Sequence, residues 1–279
     1  MLCNSFSHIK GITAEVEKLL WNSGILSWDD FEKTSFSGLT PARTKKIREG
    51  IPLSRRKLEE GEVDFFAKGL PNNRHWRLFP HFRDQTVYLD IETTGLLGEG
   101  AEITTIAMYD GQRIYHYVNG RNLDDFITDI ARYKLIVTFN GKTFDIPFIN
   151  NYFGVRLTQA HIDLRYPLKN LGYSGGLKNI EKRMGIDRGD IDGIDGMFAV
   201  YLWKDYKYFQ NKNALDTLLA YNIEDVINLE ILMTRTYNLM LRVKPVFIHN
   251  QLPLPVLPEV PFKAHTPTID KLRQRYRLY

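Results

Sequence analysis

Apolar and polar positions change rhythm at Thr86. Before it, apolar residues fall at short helical spacings. Val16, Leu19 and Leu20 predict a helix over Ala14 to Trp21, with Gly24 as its stop. Ser27 ahead of Trp28-Asp29-Asp30 reads as an N-cap, and Thr40-Pro41 opens a second unit, Thr40 to Ile51, with proline at the first helical position. Residues 1–57 therefore read as a small helical module. Residues 58–84, punctuated by Gly61, Gly69, Pro71, Asn72, Asn73 and Pro80, read as a connector.

From Thr86 the pattern alternates between strands and helices. Val87–Glu92, Ile103–Tyr109 and Arg113–Val118 predict strands, the last two joined by the hairpin signal Asp110-Gly111. Leu123–Tyr133 predicts a helix, Leu135–Asn140 a buried strand, Phe144–Phe153 a helix and Ala160–Leu164 a short strand. Helices are predicted at Leu177–Met184, Met197–Phe209 and Asn213–Leu239. A hairpin followed by β-α-β units implies an α/β fold, a mixed sheet flanked by helices, over residues 85–241. Residues 242–279 hold six prolines and no period, and predict an extended arm with a short basic helix near Asp270–Arg277.

Three motifs on this frame carry chemistry. In Tyr88-Leu89-Asp90-Ile91-Glu92, strand alternation puts Val87, Leu89 and Ile91 on one face and Tyr88, Asp90 and Glu92 on the other. Paired carboxylates at the end of an apolar strand are costly unless a cation neutralises them, and hard oxygen donors suit Mg²⁺ or Mn²⁺. The plain alternative is two solvated acids on a strand edge. In Asn140-Gly141-Lys142-Thr143-Phe144-Asp145, the acid falls in a first helical turn, where the helix dipole alone accounts for it equally well. In the last long helix, Leu218, Tyr221, Asp225, Leu229 and Leu232 form one stripe, apolar except at Asp225 and with Tyr221 one turn before it. An inward carboxylate there needs a metal or a basic partner.

Taken in order, Asp-x-Glu on a strand, Asn-(x)4-Asp at a strand-helix junction and Tyr-(x)3-Asp on a helix resemble the four-acid 3′-5′ exonuclease superfamily of the ribonuclease H-like fold, in its tyrosine subgroup. The likeness is closest to the YprB-type domains. It extends to His75-Trp76-Arg77, Asp90–Leu96, His161–Leu164, Gly176-Leu177-Lys178 with Glu181, and Tyr221–Asp225, and covers roughly residues 70–235. The resemblance implies a five-stranded mixed sheet with the acids at one end of its middle. It implies that Asp90, Glu92, Asp145 and Asp225 hold two divalent cations, Mg²⁺ or Mn²⁺, and that the reaction is hydrolysis of nucleic-acid phosphodiesters. Tyr221, whose phenol is a weak base at a free pKa of about 10, is expected to orient the attacking water. A structure-selective endonuclease and a non-catalytic nucleic-acid-binding module are the alternatives on the same fold.

Weaker candidates surround these. His161 and Asp163 either reach the site or serve the fold, Asp163 as a helix cap. Lys178, after Gly175-Gly176, is either a phosphate contact at a helix start or a solvated lysine. Asn140 is a candidate substrate contact. Asp187, Asp190, Asp192 and Asp195 do not fit an EF-hand spacing and read as a solvated loop. Phe6–Thr13 with Glu17–Trp21 and Trp28–Phe31 resembles a helix-hairpin-helix unit, with Thr13 where the second turn glycine is usual. DNA-phosphate binding and simple packing are both open readings of that segment.

Charge changes the picture modestly. The net charge of +4 divides into +4 over residues 1–57 (ten basic, six acidic), +5 over 242–279 (seven basic, two acidic) and −5 between them. Basic ends around an acidic centre suit phosphate attraction at the flanks, and point to Arg43, Lys45, Lys46 and Arg48 as backbone contacts for DNA or RNA. Ordinary solubilising charge explains the same numbers. The single cysteine, Cys3, excludes an internal disulfide framework and a multi-cysteine zinc site. No run of eighteen apolar residues and no charged-then-apolar leader appears, so the expectation is a cytoplasmic protein with no membrane span.

Overall fold

The computed structural model describes all residues except 99, 190–193, 243–244 and 277–279. The chain opens with α1 (Ala14–Asn22), α2 (Trp28–Lys33) and α3 (Pro41–Glu59). The expected caps are present: Ser27 Oγ accepts from Asp30 N–H at 3.1 Å, and Thr40 Oγ1 accepts from Arg43 N–H at 3.4 Å. Helix α3 runs eight residues past the expected end at Ile51, straight through Pro52. Pro52 lies on the solvent side, where the carbonyl it leaves unbonded meets water, while Ile47, Ile51 and Ser54 bury the opposite face.

Residues 58–84 are not a loose connector. They form α4 (Val63–Gly69), a 3-10 turn (Asn72–Arg77) and α5 (Phe79–Phe82), and bury Val63, Phe66, Leu70, Trp76, Leu78, Phe79 and Phe82. The glycines and prolines cut this stretch into pieces too short for a helical period to be read. Gly69 serves packing rather than flexibility: a Cβ there would come 2.5 Å from the His8 carbonyl oxygen. Glu17, 1% exposed, fastens the layer. It accepts from the N–H groups of Phe6 and Ser7 and from the guanidinium groups of Arg74 and Arg77.

The sheet is β1 (Thr86–Thr93), β2 (Ile103–Tyr109), β3 (Ile114–Val118), β4 (Leu135–Thr138) and β5 (Ala160–Asp163), in the order β3-β2-β1-β4-β5. Strand β1 is antiparallel to β2 and parallel to β4, and β4 is parallel to β5. This is the mixed five-stranded sheet that the motif set implied. The β1/β2 register shifts between Glu92 and Thr93, next to the paired acids.

Val87, Leu89 and Ile91 pack with α6 (Asp125–Ile130) and α7 (Asp145–Phe153) on one face, through Phe126, Ile130, Phe148 and Ile149. The other face carries Tyr88 and packs on the long helix α11 (Lys212–Arg242). On that side α8 (Arg165–Asn170), which the sequence reading left out, precedes α9 (Leu177–Arg183), α10 (Gly196–Phe209) and the 31-residue α11 (Lys212–Arg242). One continuous apolar core runs from Leu2 and Phe6 through Trp76 and Phe79 to Leu218, Leu232 and Leu272. The N-terminal helices therefore share the core of the sheet's α11 face.

A 3-10 turn, Pro245–Asn250, leads into an extended run and then α12 (Thr266–Tyr276), which buries Ile269 and Leu272. Asn238 Oδ1 accepts from Leu252 N–H at 2.9 Å, Asn238 Nδ2 donates to the Leu252 carbonyl at 2.8 Å, and His265 N–H donates to Thr217 Oγ1 at 3.0 Å. Among the described residues no helix is long and apolar enough to cross a membrane.

Candidate metal centre

Strand β1, the head of α7 and the middle of α11 bring the sequence candidates to one place. Asp90, Ile91, Glu92, Asn140, Asp145, Tyr221 and Asp225 line a single open cleft of about 360 Å³. Carboxylate oxygens of Asp90, Glu92 and Asp225 lie within 4.8 Å of one another. Asp145 is the first residue of α7 and is buried, so the dipole reading and the site reading hold together. Asp90 is half-buried; Glu92, Asp225 and Tyr221 are buried.

Burial and mutual repulsion set the electrostatics. Burial pushes the Asp90 carboxyl well above the usual range, and the charges of Asp225, Asp145 and Glu92 push it further. Burial also raises Glu92, with Asp225 adding to it. Asp145 is pushed up to about 7 by burial, against backbone hydrogen bonds from its own and the Ile91 N–H that hold it down. Oxygen donors that resist ionising for want of counter-charge are what a hard divalent cation relieves, so the donor set fits Mg²⁺ or Mn²⁺. Burial and the same carboxylates raise the Tyr221 phenol well above its ordinary value, so it stays protonated and available as a donor.

The structure adds residues that sequence reasoning missed. Asn222 Nδ2 donates to Asp90 Oδ2 at 2.7 Å, while Asn222 Oδ1 accepts from Thr105 Oγ1 at 2.9 Å. The hydroxyl of Thr105 thereby fixes the amide's orientation, and the amide in turn holds one oxygen of Asp90. The only signal in the sequence was its place on the same predicted helix, between Tyr221 and Asp225; its burial shows only in the structure. Arg188 donates to Asp225 Oδ1 and, at 2.6 Å, to Glu181 Oε2. Asp225 thus has the basic partner that its plain reading required, although nothing in the local sequence marks Arg188.

The weaker candidates separate. Lys178 is not a solvated lysine: Nζ donates to the Ile194 carbonyl and lies 4.3 Å from the centre of the Tyr221 ring. His161 and Asp163 serve the fold. His161 Nε2 and Thr138 Oγ1 are 2.8 Å apart, and burial lowers this imidazole to about 3. Asp163 accepts from the N–H groups of Asn140, Lys142 and Arg165 at 2.8, 3.1 and 3.0 Å, so it holds the first N–H of α8, one residue ahead of the N-cap Leu164, and also shapes the loop that carries Asn140. Asn140 holds a left-handed backbone at φ 67° in that loop. Asp195 caps α10 through Phe198 N–H at 2.8 Å, and Asp187 accepts from Gly189 N–H at 3.2 Å. Asp190 and Asp192 lie outside the described residues. Arg43, Lys45, Lys46 and Arg48 are exposed on α3, and none lines the acid cleft.

A buried carboxylate cluster at the middle of a sheet ordered β3-β2-β1-β4-β5 defines a ribonuclease H-like class of protein. Residues 87–237, more than half of the chain, match the family model of the RNase H superfamily, and the chain belongs to that family. No functionally curated protein matches it by sequence. Solved structures similar to it include the family B DNA polymerase of the archaeon Pyrobaculum calidifontis, at 17% identity and a TM-score of 0.39, over 60% of this chain and 25% of the polymerase. The chain thus spans a quarter of that enzyme's length. Brucella melitensis NrnC is similar at 17% identity and a TM-score of 0.41, over 62% of this chain and 80% of NrnC. The same protein has also been solved with bound Mg²⁺, at 18% identity and a TM-score of 0.41, with the same two coverages.

Proposed function

We propose that the chain is a divalent-cation-dependent nuclease that removes nucleotides from the 3′ end of DNA or RNA. The observation that carries this reading is the convergence of Asp90, Glu92, Asp145 and Asp225, with Tyr221 beside them, on one open cleft. Asp90, Glu92, Asp145 and Asp225 together are the residues to hold the two cations. When bound, Mg²⁺ or Mn²⁺ supplies Lewis acidity toward a water and toward the scissile phosphodiester. The chain's own residues do the rest. Asn222 keeps Asp90 turned toward the cluster, and the protonated Tyr221 hydroxyl donates a hydrogen bond that orients the attacking water. Asn140, at the rim, is the candidate substrate contact.

The choice of 3′ polarity comes from the Tyr-(x)3-Asp arrangement on α11, shared with the tyrosine subgroup of four-acid exonucleases. We read the catalytic part as YprB-type and residues 1–57 as a helix-hairpin-helix-like layer. Its exposed Arg43, Lys45, Lys46 and Arg48 contact backbone phosphates away from the cleft. The test uses the full chain and 5′-labelled oligonucleotides, DNA and RNA, single and double stranded, with Mg²⁺, Mn²⁺ or chelator. The expected result is a ladder shortening from the 3′ end, lost with chelator and in Asp90→Asn. Activity that survives chelator and Asp90→Asn refutes the metal centre. Internal fragments from a 3′-blocked oligonucleotide refute the polarity and make the chain an endonuclease.

A further inference from the structure

Asp225 already carries a cation of the chain's own. Arg188 Nη2 donates to Asp225 Oδ1 while Nη1 donates to Glu181 Oε2 at 2.6 Å. The Arg188 side chain is 4% exposed and that of Glu181 0%. The guanidinium also lies 5.5 Å from the centre of the Tyr221 ring, from which the Lys178 ammonium is 4.3 Å away. Among the described residues its buried Nε has no hydrogen-bond partner, as is also true of Arg77 Nε in the structural bridge to Glu17, so the contacts to Asp225 and Glu181 are what hold this guanidinium in place.

Charge balance gives the arrangement a meaning. Asp90, Glu92, Asp145, Asp225 and Glu181 contribute five negative charges when ionised, and Arg188 and Lys178 contribute two positive ones. One divalent cation then leaves a single negative charge, and two leave a single positive one. Without the two basic residues, two divalent ions would be needed to come as close to neutrality. Burying net charge is costly, and with its own two cations the site comes within one charge of balance with either one divalent ion or two. A guanidinium also suits this place, being flat, permanently charged and weakly hydrated.

We propose that Arg188 is a resident competitor for Asp225. It fills one of the site's cation positions, so the free protein takes up one divalent ion readily and a second only as Arg188 releases Asp225. This rests on the metal-dependent reading above and refines it: occupancy of the two cation positions becomes ordered. Arg188 acts here through Asp225 and is a positioning residue, not a catalytic one.

The test is Mn²⁺ binding to the full chain, by calorimetry and by the spin-resonance signal of free Mn²⁺. Wild type is compared with the Glu181→Gln/Arg188→Gln double variant, which leaves net charge unchanged, removes Glu181 along with its partner and frees Asp225 for metal. Thermal melting checks its fold. Wild type is expected to bind one ion well and the second at least tenfold more weakly. In the double variant the second ion should tighten by roughly tenfold, inside the ~5–150-fold span typical of coupled sites. Equal numbers and affinities in the two proteins, or weaker binding in the variant, overturn the inference and leave the metal centre standing. No Mn²⁺ bound by either protein, or binding unaffected by Asp90→Asn, overturns the metal centre itself. A second measurement does not depend on the double variant. The wild-type Arg188 Nε–H resonance, assigned by its loss in Arg188→Lys, should shift as the second equivalent of Mg²⁺ binds. A resonance unmoved through saturation overturns the inference.

Discussion

Replacing Glu17 with alanine tests whether the N-terminal layer is part of the catalytic fold. Glu17 Oε1 accepts from Ser5 Oγ at 2.9 Å, Phe6 N–H at 2.8 Å, Ser7 N–H at 3.1 Å and Arg77 Nη1 at 2.9 Å. Its Oε2 accepts from Arg77 at 2.9 Å and Arg74 at 3.0 Å. Burial pulls this carboxyl upward, yet the charge of Arg77 and the backbone N–H groups more than offset it and hold it below its ordinary value. Alanine leaves the Arg77 guanidinium, 5% exposed, without its counter-charge. Breaking a buried pair by removing one partner costs about 3–5 kcal/mol, a large share of the roughly 5–15 kcal/mol that stabilises a typical domain.

Urea unfolding followed by tryptophan fluorescence and far-ultraviolet circular dichroism reads this directly. Trp21 and Trp28 report the N-terminal layer, and Trp76 reports the segment that joins it to the sheet. At a slope of about 3 kcal/mol per molar urea, the midpoint should fall by about 1 M or more, with both probes still coincident. Since the folded-state pKa of Glu17 is depressed, this contribution is present above the ordinary carboxylate range and is lost as pH falls through the folded value. A midpoint change equivalent to less than about 1 kcal/mol refutes the ledger around Glu17. A separate early transition that leaves the nuclease core intact refutes the shared core and restores the independent module first read from the sequence.

Tyr221→Phe should fold normally and lose rate by roughly 10²-fold or more, within the range for a positioned proton-handling group; unchanged turnover under saturating metal removes Tyr221 from the chemistry. Asp163→Ala strands three backbone N–H groups, at about 1–3 kcal/mol each where water cannot reach them, and lets the Asn140 loop shift. It should lower melting temperature and substrate affinity while leaving Mn²⁺ affinity within about twofold of wild type, and a tenfold loss of Mn²⁺ affinity would place Asp163 in the metal site. His8 is buried with Nε2 2.8 Å from Ser54 Oγ, and burial lowers its pKa to about 4. The unfolded chain therefore takes a proton near pH 6.5 that the folded chain refuses. Stability should fall as pH drops from about 6.5 to about 4, by up to about 3 kcal/mol from this residue. His8→Gln should flatten that slope, and an unaltered slope would show that His8 is solvated.

The parts legible in the sequence were those where one short-range signal decides. Alternation along Val87–Glu92 separated the apolar face from Asp90 and Glu92, and the 3-4-4-3 stripe put Tyr221 and Asp225 on the inward side of α11. Both are properties of a single element. Asn222 and Thr105 meet only because α11 crosses β2, a contact 117 residues apart that no local pattern encodes. Arg188 is similar: a basic residue in a glycine-containing loop looks solvated until α9 and α11 close around it. Residues 58–84 were misread for a different reason. Their turn residues are real, but the intervening helices are four to seven residues long, and burial rather than periodicity holds them. Of the two readings of Asp225, the structure shows the basic partner, Arg188, and places that pair beside Asp90 and Glu92.

The C-terminal arm bears on the accuracy of the cleft. It is pinned to α11 through Asn238 and Leu252 at one point and through Thr217 and His265 at another. Tyr221, Asn222 and Asp225 lie between these pins. The pinned stretch of helix is roughly 30 Å long at 1.5 Å per residue, and the arm spanning it has no regular structure of its own to stretch. Two ties to the same helix brace the stretch between them against bending, while the packing of α11 on β1 and β2 sets where that stretch lies. The arm is thus a splint laid along the part of the helix that carries half of the cleft.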